Sequence, residues 1–244
     1  MAAKRGLASM PRLLRNPKPV PVLPPIEGHR IWSASYDNDL NPVLALDTRV
    51  LSERLGSLAG LRVVDVACGT GRWTSFAQSH GAEVIGIDLC PEMLAAAARK
   101  SALSGCLALA DAAELPIRQG AADLSLCSLA LSYFPSAAAA IAEMARITRR
   151  GGRVVISDLH PHAVRAGWNR SFRAGDQVYA IDHRNHAIRF AYLAAERSGL
   201  ILDWELSACF GAPEREIFQR AGKVSVFHAL SCVPALRVLA WVKP

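Results

Sequence analysis

Three aspartates follow short apolar runs, at the places where strands are expected to end. Asp65 precedes a glycine turn at residues 68–71, Asp88 lies nineteen residues after the first glycine of that turn, and Asp111 closes a third apolar run. A glycine turn after a strand lets a ligand approach the backbone, and it directs the amides of the next helix toward that ligand. Carboxylates accept hydrogen bonds from ammonium groups, ribose hydroxyls and adenine amino groups. The set predicts a site for an adenosine with a cationic amino-acid tail.

The glycine turn departs from the dinucleotide-binding fingerprint at one position. Thr74 stands where that fingerprint has Gly or Ala for close packing of the helix on the strand. This difference disfavours a pyrophosphate ligand. An NAD-dependent enzyme is therefore the less favoured alternative.

The elements around these residues alternate between apolar runs and segments with helical periodicity. Strands this apolar predict a parallel sheet covered on both faces, and therefore an α/β, doubly wound Rossmann-like fold. The predicted strands are 61–66, 83–88, 107–110, 122–128, 153–158, 177–181, 200–206 and 236–242, and the predicted helices are 42–55, 92–102, 137–148 and 187–198. The helix at 137–148 is expected to stop at Gly151-Gly152, in the turn before the fifth strand.

Three sequence segments hold the aspartates: VVDVACGTG at 63–71, VIGIDLCPEML at 84–94 and ADAAELP at 110–116. These segments resemble the small-molecule, methyltransferase type 11-like branch of the class I methyltransferases that depend on S-adenosylmethionine (SAM). The likeness extends over about residues 60 to 160. It implies a seven-stranded sheet, SAM as the cofactor and a helical N-terminal cap.

The resemblance also implies roles for single residues. It places the ribose on Asp88, the adenine against Leu89 and the base edge at Asp111, and it places the methionine part on Gly69 and Gly71. The predicted cofactor set further includes Asp65 at the ammonium group, Ala67 in place of the family's commoner glycine, Ala112 beside the base and Ser128 near the sulfonium.

Residues on the methyl-acceptor side are harder to identify. A sulfonium carries its own leaving group, so the protein must mainly align a nucleophile and, for a poor nucleophile, remove a proton. His160 follows the fifth strand, where ligands of α/β sheets bind, and Tyr36 precedes the first long helix, where related enzymes fold over the cofactor. We predict these two as catalytic candidates, with an ordinary structural role as the alternative for each. Trp168, Phe172 and Tyr179 are candidate walls of an acceptor pocket.

The histidines and acids near the fifth strand also raise the question of a metal. Asp158, His160 and His162, with His183 and His186, could gather a divalent ion. The resemblance is not to the metal-dependent branch of the family. We therefore predict no metal.

Three functions compete within the resemblance. The first is methyl transfer to an O, N, S or C atom of a small molecule. An RNA or protein methyltransferase is less favoured, because Ser128–Leu131 lacks the Asn/Asp-Pro-Pro-aromatic pattern that grips an exocyclic amine. A non-catalytic SAM-binding regulator is the third, since a fold does not fix a function.

The N-terminal residues differ in composition from the rest. Residues 1–26 contain five of the chain's Lys and Arg residues, no acid and six prolines. We predict a basic, proline-rich disordered tail there, with an organelle transit peptide as the alternative. Residues 27–244 are predicted to form a single methyltransferase domain, with an N-terminal cap at 27–58 and a substrate-side insertion at 159–186.

The remaining composition bears on partners and location. No apolar run approaches the roughly 20 residues that cross a bilayer, and the six cysteines lack paired spacing. We therefore expect a cytoplasmic protein with reduced thiols, a small-molecule substrate and neither a membrane nor a nucleic acid as a partner. The oligomeric state stays open, a homodimer being one alternative.

Overall fold

Ten strands and nine α-helices make up the described part of the chain. The computed structural model describes residues 20–184 and 187–244. The strands are β1 (Val22–Leu23), β2 (Arg62–Val66), β3 (Glu83–Asp88), β4 (Leu107–Leu109), β5 (Ala122–Ser128), β6 (Thr148–Leu159), β7 (Ser171–Ala174), β8 (Gln177–Ile181), β9 (Ile201–Ala208) and β10 (Leu236–Val242). The helices are α1 (Pro25–Trp32), α2 (Pro42–Arg54), α3 (Arg72–Ser79), α4 (Pro91–Ala98), α5 (Ala137–Ile147), α6 (Pro161–Arg165), α7 (Ala187–Arg197), α8 (Ala212–Arg220) and α9 (Val224–Leu230).

Seven of these strands form the central sheet, in the order β4-β3-β2-β5-β6-β10-β9. Strands β2 to β6 are parallel to one another, whereas β10 is antiparallel to both β6 and β9. Each face of the sheet is covered by its own apolar cluster. Val64 packs in one cluster and Val63 in the other, as the two-residue period of a strand requires. The predicted doubly wound, seven-stranded α/β fold is confirmed.

Short polar signals set the starts of several helices. Asn41 caps α2, its Oδ1 accepting from the amide of Val43 at 3.0 Å, and Ser136 caps α5 by accepting from the amide of Ala139 at 3.2 Å. Proline occupies the first position of α2 and of α4, where a missing N–H costs least.

Two boundaries of the predicted elements differ from the structure by four residues or more. Strand β6 begins at Thr148, directly after α5, so Gly151 and Gly152 lie within the strand and not in a turn before it. A Cβ on Gly152 would come within 2.9 Å of the carbonyl oxygen of Asp123, which explains a glycine at this crowded crossing. Helix α4 also ends at Ala98, four residues before the predicted end.

Strands β1, β8 and β7 form a small second sheet, which we call the rim sheet. It joins the N-terminal strand β1 to the predicted insertion at 159–186. Strands β7 and β8 form an antiparallel hairpin, and β1 pairs in parallel with β8, Val22 opposite Ala180. Strand β1 and the first two residues of α1 lie within residues 20–26, which were predicted to belong to a disordered tail. Pro25 stands at the first position of α1, where it favours the helix, and this corrects the predicted boundary. Residues 1–19 of the predicted tail lie outside the described residues.

Helices α8 and α9 were not predicted from the sequence. Helix α8 carries Glu214, whose buried carboxylate accepts from the guanidinium of Arg49 on α2 at 3.0 Å. All six cysteines are free thiols. In the described ranges, none of the helices has the length and hydrophobicity that crossing a bilayer demands.

Candidate active site

A cavity of about 1350 Å³ lies beyond the carboxyl ends of β2 to β5. Its floor contains Ala67, Gly69, Asp88 and Ser128, and its roof comes from α1, the following turn and the rim sheet. Ligand pockets of proteins usually measure roughly 300 to 1,000 Å³. The cavity therefore has room for more than one ligand.

Asp88 sits at the end of β3 and fixes the glycine turn. Its Oδ2 accepts from the amide of Gly69 at 2.7 Å, and its Oδ1 accepts from the amide of Cys90 at 2.8 Å. Burial raises the pKa of this carboxyl, and the backbone hydrogen bonds oppose that rise. A carboxylate offers about four acceptor positions, so the two that remain suit a pair of ribose hydroxyls.

The residues after β3 and β4 form a slot beside Asp88. Leu89 lines the cavity and leaves 46% of its surface exposed, although it is a large apolar side chain. Asp111 also lines the cavity, with Oδ1 accepting from the amide of Ala113 at 2.8 Å, and buried Ala112 stands next to it. An aromatic base covering Leu89 would have its polar edge near Asp111.

The glycine turn is built on left-handed backbone. Ala67 has φ +57° and Gly69 has φ +57°, and both line the cavity. Gly71, with φ +79°, is not a lining residue. A Cβ there would meet the side chain of Leu103 at 2.5 Å, so this glycine allows close packing, and its contact with the methionine part stays a prediction.

Asp65 also has a different place from the one predicted. Its carboxylate is 2% exposed, accepts from the hydroxyl of Thr74 at 2.7 Å and does not line the cavity. Burial raises its pKa to about 7, against the hydrogen bond from Thr74. The side chain turns into the core because Thr74, the residue that replaces the fingerprint glycine, offers a hydroxyl donor there. In this structure the carboxylate faces the core, and a contact with an ammonium group stays a prediction.

A buried network joins the cap helix α2 to the cavity floor. Asp47 is 0% exposed, and its Oδ2 accepts from Arg72 at 2.8 Å, from the indole of Trp73 at 3.0 Å and from Ser128 at 2.7 Å. Its Oδ1 accepts from the hydroxyl of Ser157. One carboxylate thus anchors α2 to α3, β5 and β6, and it orients Ser128 at the cavity.

His160 does not reach the cavity. It is 7% exposed, and its Nδ1 accepts from the amide of His162 at 3.1 Å, which caps α6. Burial, with the nearby charges of His162 and Arg237, lowers its pKa to about 4. Because the imidazole turns back onto its own helix and is absent from the lining, the predicted role as base or substrate contact is not supported by this geometry.

Tyr36, the other catalytic candidate, does line the cavity. Its ring packs against that of Trp32 with centroids 4.6 Å apart, and burial raises the pKa of its hydroxyl to about 12. A tyrosine with this pKa stays protonated at neutral pH. It can donate a hydrogen bond but is a poor base.

The turn after Tyr36 fastens the cap to the glycine turn. The hydroxyl of Thr70 donates to Asp37 at 2.6 Å, and Lys100 Nζ pairs with the same carboxylate at 3.0 Å while donating to the carbonyl of Thr70 at 2.6 Å. We call these three residues the cap latch. It holds the roof of the cavity to its floor.

Arg170, which no sequence pattern singled out, shapes the acceptor end. It pairs with the buried carboxylate of Asp158, donates to the carbonyl of Leu129 at 2.6 Å and lies 4.7 Å from the ring centroid of Tyr133. Asp158 is therefore engaged in an ion pair. Within residues 20–184 and 187–244, no group of three His, Cys, Asp or Glu side chains has the arrangement of a metal site, and His186 lies outside the described residues.

The predicted acceptor walls are partly brought together. Trp168 and Phe172 line the cavity, whereas Tyr179 packs behind Phe172 with ring centroids 5.7 Å apart. His29 on α1 also lines the cavity. No sequence pattern predicted this residue, because its position depends on how α1 and the rim sheet fold over the central sheet.

Comparisons with known proteins agree with this architecture. A family model described as "Methyltransferase domain" matches residues 64–156. The demethylmenaquinone methyltransferase of Staphylococcus aureus is 29% identical over 216 residues, 81% of this chain and 85% of that protein. The malonyl-[acyl-carrier protein] O-methyltransferase of Serratia marcescens is 30% identical over 154 residues, 62% of this chain and 57% of that protein. The chain spans about half the length of the malonyl-[acyl-carrier protein] O-methyltransferases that it matches.

The fold has solved relatives as well. The crystal structure of an S-adenosylmethionine dependent methyltransferase from Mesorhizobium loti superposes with a TM-score of 0.63 at 24% identity, covering 83% of this chain and all of that one. The fold and the residues of the cavity floor define the class I methyltransferase architecture. The methyltransferase-domain model thus matches residues 64–156, and the fold is that of the class I methyltransferases, as the resemblance seen in the sequence implied.

Proposed function

We propose that this protein is a methyltransferase that transfers the methyl group of SAM to an O, N, S or C atom of a small molecule. The proposal rests on one observation, a cavity whose two halves are lined by different kinds of residue. One half has the free acceptor positions of Asp88, the exposed face of Leu89 and the backbone of Gly69. The other half combines the aromatic rings of Trp168 and Phe172 with the charged side chain of Arg170.

The residues of the first half fit SAM. Asp88 would hold the ribose, Leu89 and Ala112 the adenine and Asp111 its edge, while Ala67 and Gly69 would approach the methionine part and Ser128 the sulfonium. When bound, SAM supplies an electrophilic methyl group with a built-in leaving group. The chain's own work is to orient the acceptor and to exclude water under the cap, which the cap latch holds in place.

In the second half of the cavity, Tyr36 is placed to bind the methyl acceptor, whereas His160 is not. The hydroxyl of Tyr36, kept protonated by its raised pKa, can donate a hydrogen bond to the acceptor. His160 is excluded from our proposal by its position. A small-molecule acceptor, a cytoplasmic location and a homodimer stay predictions.

Cofactor binding can be tested by calorimetry with S-adenosylhomocysteine (SAH), the product of SAM after transfer. We expect Asp88→Asn to weaken binding about 10- to 100-fold, because hydrogen bonds to a charged group contribute roughly 1.5 to 3 kcal/mol. Asp203→Asn, on the exposed face of β9, is the matched control and should bind SAH like the unaltered protein. Binding of NAD in place of SAH would contradict the proposal.

Transfer itself can be tested with SAM labelled in its methyl group. Three probes represent the competing acceptors: 1,4-naphthoquinol, malonyl-CoA and total tRNA. Label in either small molecule supports the proposal. Label in tRNA alone supports the RNA alternative, and tight SAH binding without transfer to any probe or to fractionated cell metabolites supports the non-catalytic regulator.

A further inference from the structure

His29 lies in the roof of the cavity. It is on the second turn of α1, lines the cavity, and meets the ring of Tyr133 edge-on with centroids 4.6 Å apart. Tyr133 is the last residue of the short helix that follows β5, the strand that ends at Ser128. His29 therefore contacts the segment that follows the carboxyl end of β5, on the side of the sheet where the cavity lies.

The hydrogen bonding of His29 decides which nitrogen is free. Its Nδ1 lies 2.7 Å from the carbonyl oxygen of Pro25, one helical turn earlier. A carbonyl can only accept, so Nδ1 carries the proton and Nε2 of the neutral ring carries a lone pair. In the described part of the chain, no group forms a hydrogen bond with that Nε2.

The surroundings keep the ring neutral and ready to accept a proton. Burial lowers the pKa of His29 from its ordinary value, the Pro25 carbonyl and the carboxylate of Asp88 act in the opposite direction, and Arg170 lowers it further. The ring neighbours are Trp32 on its own helix and Tyr133, neither of which carries a charge near neutral pH. An imidazole that is neutral at pH 7 but close to a carboxylate suits a general base.

We propose that His29 Nε2 is the general base of the reaction and takes the proton that the acceptor loses. This inference rests on the proposed methyl transfer. As the acceptor atom forms its bond to the methyl carbon, the electron pair of the broken carbon–sulfur bond stays on sulfur, giving SAH. His29 receives the acceptor's proton, becomes an imidazolium near Asp88, and returns the proton to water.

This assignment narrows the class of acceptor. A base is needed when the attacking atom is protonated at neutral pH, as in a phenol, a quinol, an alcohol or an acidic C–H group. A carboxylate is already ionised and needs none. The acceptor is therefore a molecule of the first kind, and the apolar walls formed by Trp168 and Phe172 favour an aromatic one.

The first test compares His29→Gln with His160→Asn. The second variant removes an imidazole outside the cavity and keeps a good helix cap, so it is the matched control. With 1,4-naphthoquinol kept reduced under nitrogen as the probe, we expect His29→Gln to lower the single-turnover rate by about 10² to 10⁴-fold and to bind SAH within about threefold of the unaltered protein. The control should retain its rate.

The pH profile separates a base from a structural residue. In the unaltered protein the rate should fall as the pH drops through the pKa of His29, because the protonated ring cannot accept a proton. His29→Gln should lack this limb. The same limb in both proteins, an unchanged rate in His29→Gln, or methylation of malonyl-CoA in preference to naphthoquinol would overturn the inference while leaving the proposed function standing.

A second measurement needs no acceptor. Nitrogen-15 NMR of the histidine rings in the SAH complex should show His29 neutral at pH 7, with its proton on Nδ1. A proton on Nε2, or an imidazolium at pH 7, would overturn the assignment even if neither probe were methylated.

Discussion

Two substitutions of Asp47 separate the contribution of its buried charge to the free energy of unfolding from the contribution of its hydrogen bonds. In Asp47→Ala, Arg72, Trp73, Ser128 and Ser157 all lose their shared acceptor, and the guanidinium of Arg72, 25% exposed on its side chain, loses its counter-charge. Breaking a buried ion pair from one side costs roughly 3 to 5 kcal/mol. We expect about 4 kcal/mol for this variant, since donors to the same carboxylate are lost as well.

Asp47→Asn should behave differently. Its amide oxygen can take the place of Oδ2 and accept from three of the donors, while its NH₂ group faces the hydroxyl of Ser157, which can accept. Only the charge is lost. A hydrogen bond to a charged group stabilises a protein by about 1 kcal/mol more than a neutral hydrogen bond does. We therefore expect a loss of about 1 kcal/mol for this variant.

Urea denaturation followed by fluorescence and circular dichroism gives the two free energies of unfolding. For a chain of this size 1 kcal/mol lowers the Tm by roughly 2 to 4 °C, so Asp47→Ala should melt about 8 to 16 °C lower. Asp203→Asn serves as the control and should stay within about 0.5 kcal/mol. Equal losses in the two Asp47 variants, or a loss below about 1 kcal/mol in Asp47→Ala, would refute the account.

Three further variants test other parts of the site. Ala67→Gly should raise the free energy of unfolding by up to about 1 kcal/mol, because relief of left-handed strain exceeds the extra chain entropy of glycine; a loss of stability in urea would contradict this. Asp65 has a pKa of about 7 in the folded protein, well above its ordinary value, so the folded state holds the proton and its stability falls as the pH rises from about 4 to 7. Asp65→Asn does not titrate, so its free energy of unfolding should rise relative to that of the unaltered protein over this pH range, by up to about 4 kcal/mol above pH 7. A difference that does not change with pH would contradict this prediction. Asp37→Ala removes both contacts of Asp37 in the cap latch and should speed SAH dissociation in stopped flow by about three- to tenfold with little change in Tm. An unaltered rate would show that the latch does not hold the roof.

The strands of the central sheet were predictable because each is a short apolar run between turn signals. Strand β5 has the predicted limits, and β3 also matches its predicted range. The order of acids along the chain likewise identified Asp88 and Asp111, since strand ends of a parallel sheet meet at one edge. The positions of these residues depend on the local sequence and on the order of the strands, and both can be predicted from the pattern of apolar runs and turns.

Side-chain direction was not predictable in the same way. His160 follows β6 as expected, but its ring caps α6, and Asp65 turns to Thr74 because a hydroxyl lies within reach in the core. His29 was missed for the converse reason. Its neighbour Tyr133 comes from a segment far away in sequence, and α1 reaches the cavity through tertiary packing, including the stacking of Trp32 on Phe172.

The pairing of Val22 with Ala180 has a consequence for how the chain is made. Ribosomes add about 5 to 20 residues per second, so β1 emerges roughly 8 to 30 s before its partner strand exists. During that interval the glycine turn and the strands around it can already be synthesised, but α1 has no rim sheet to rest on. A nascent chain therefore exposes the glycine turn and the strand ends around it until translation has passed β8, and the roof of the cavity is completed only afterwards.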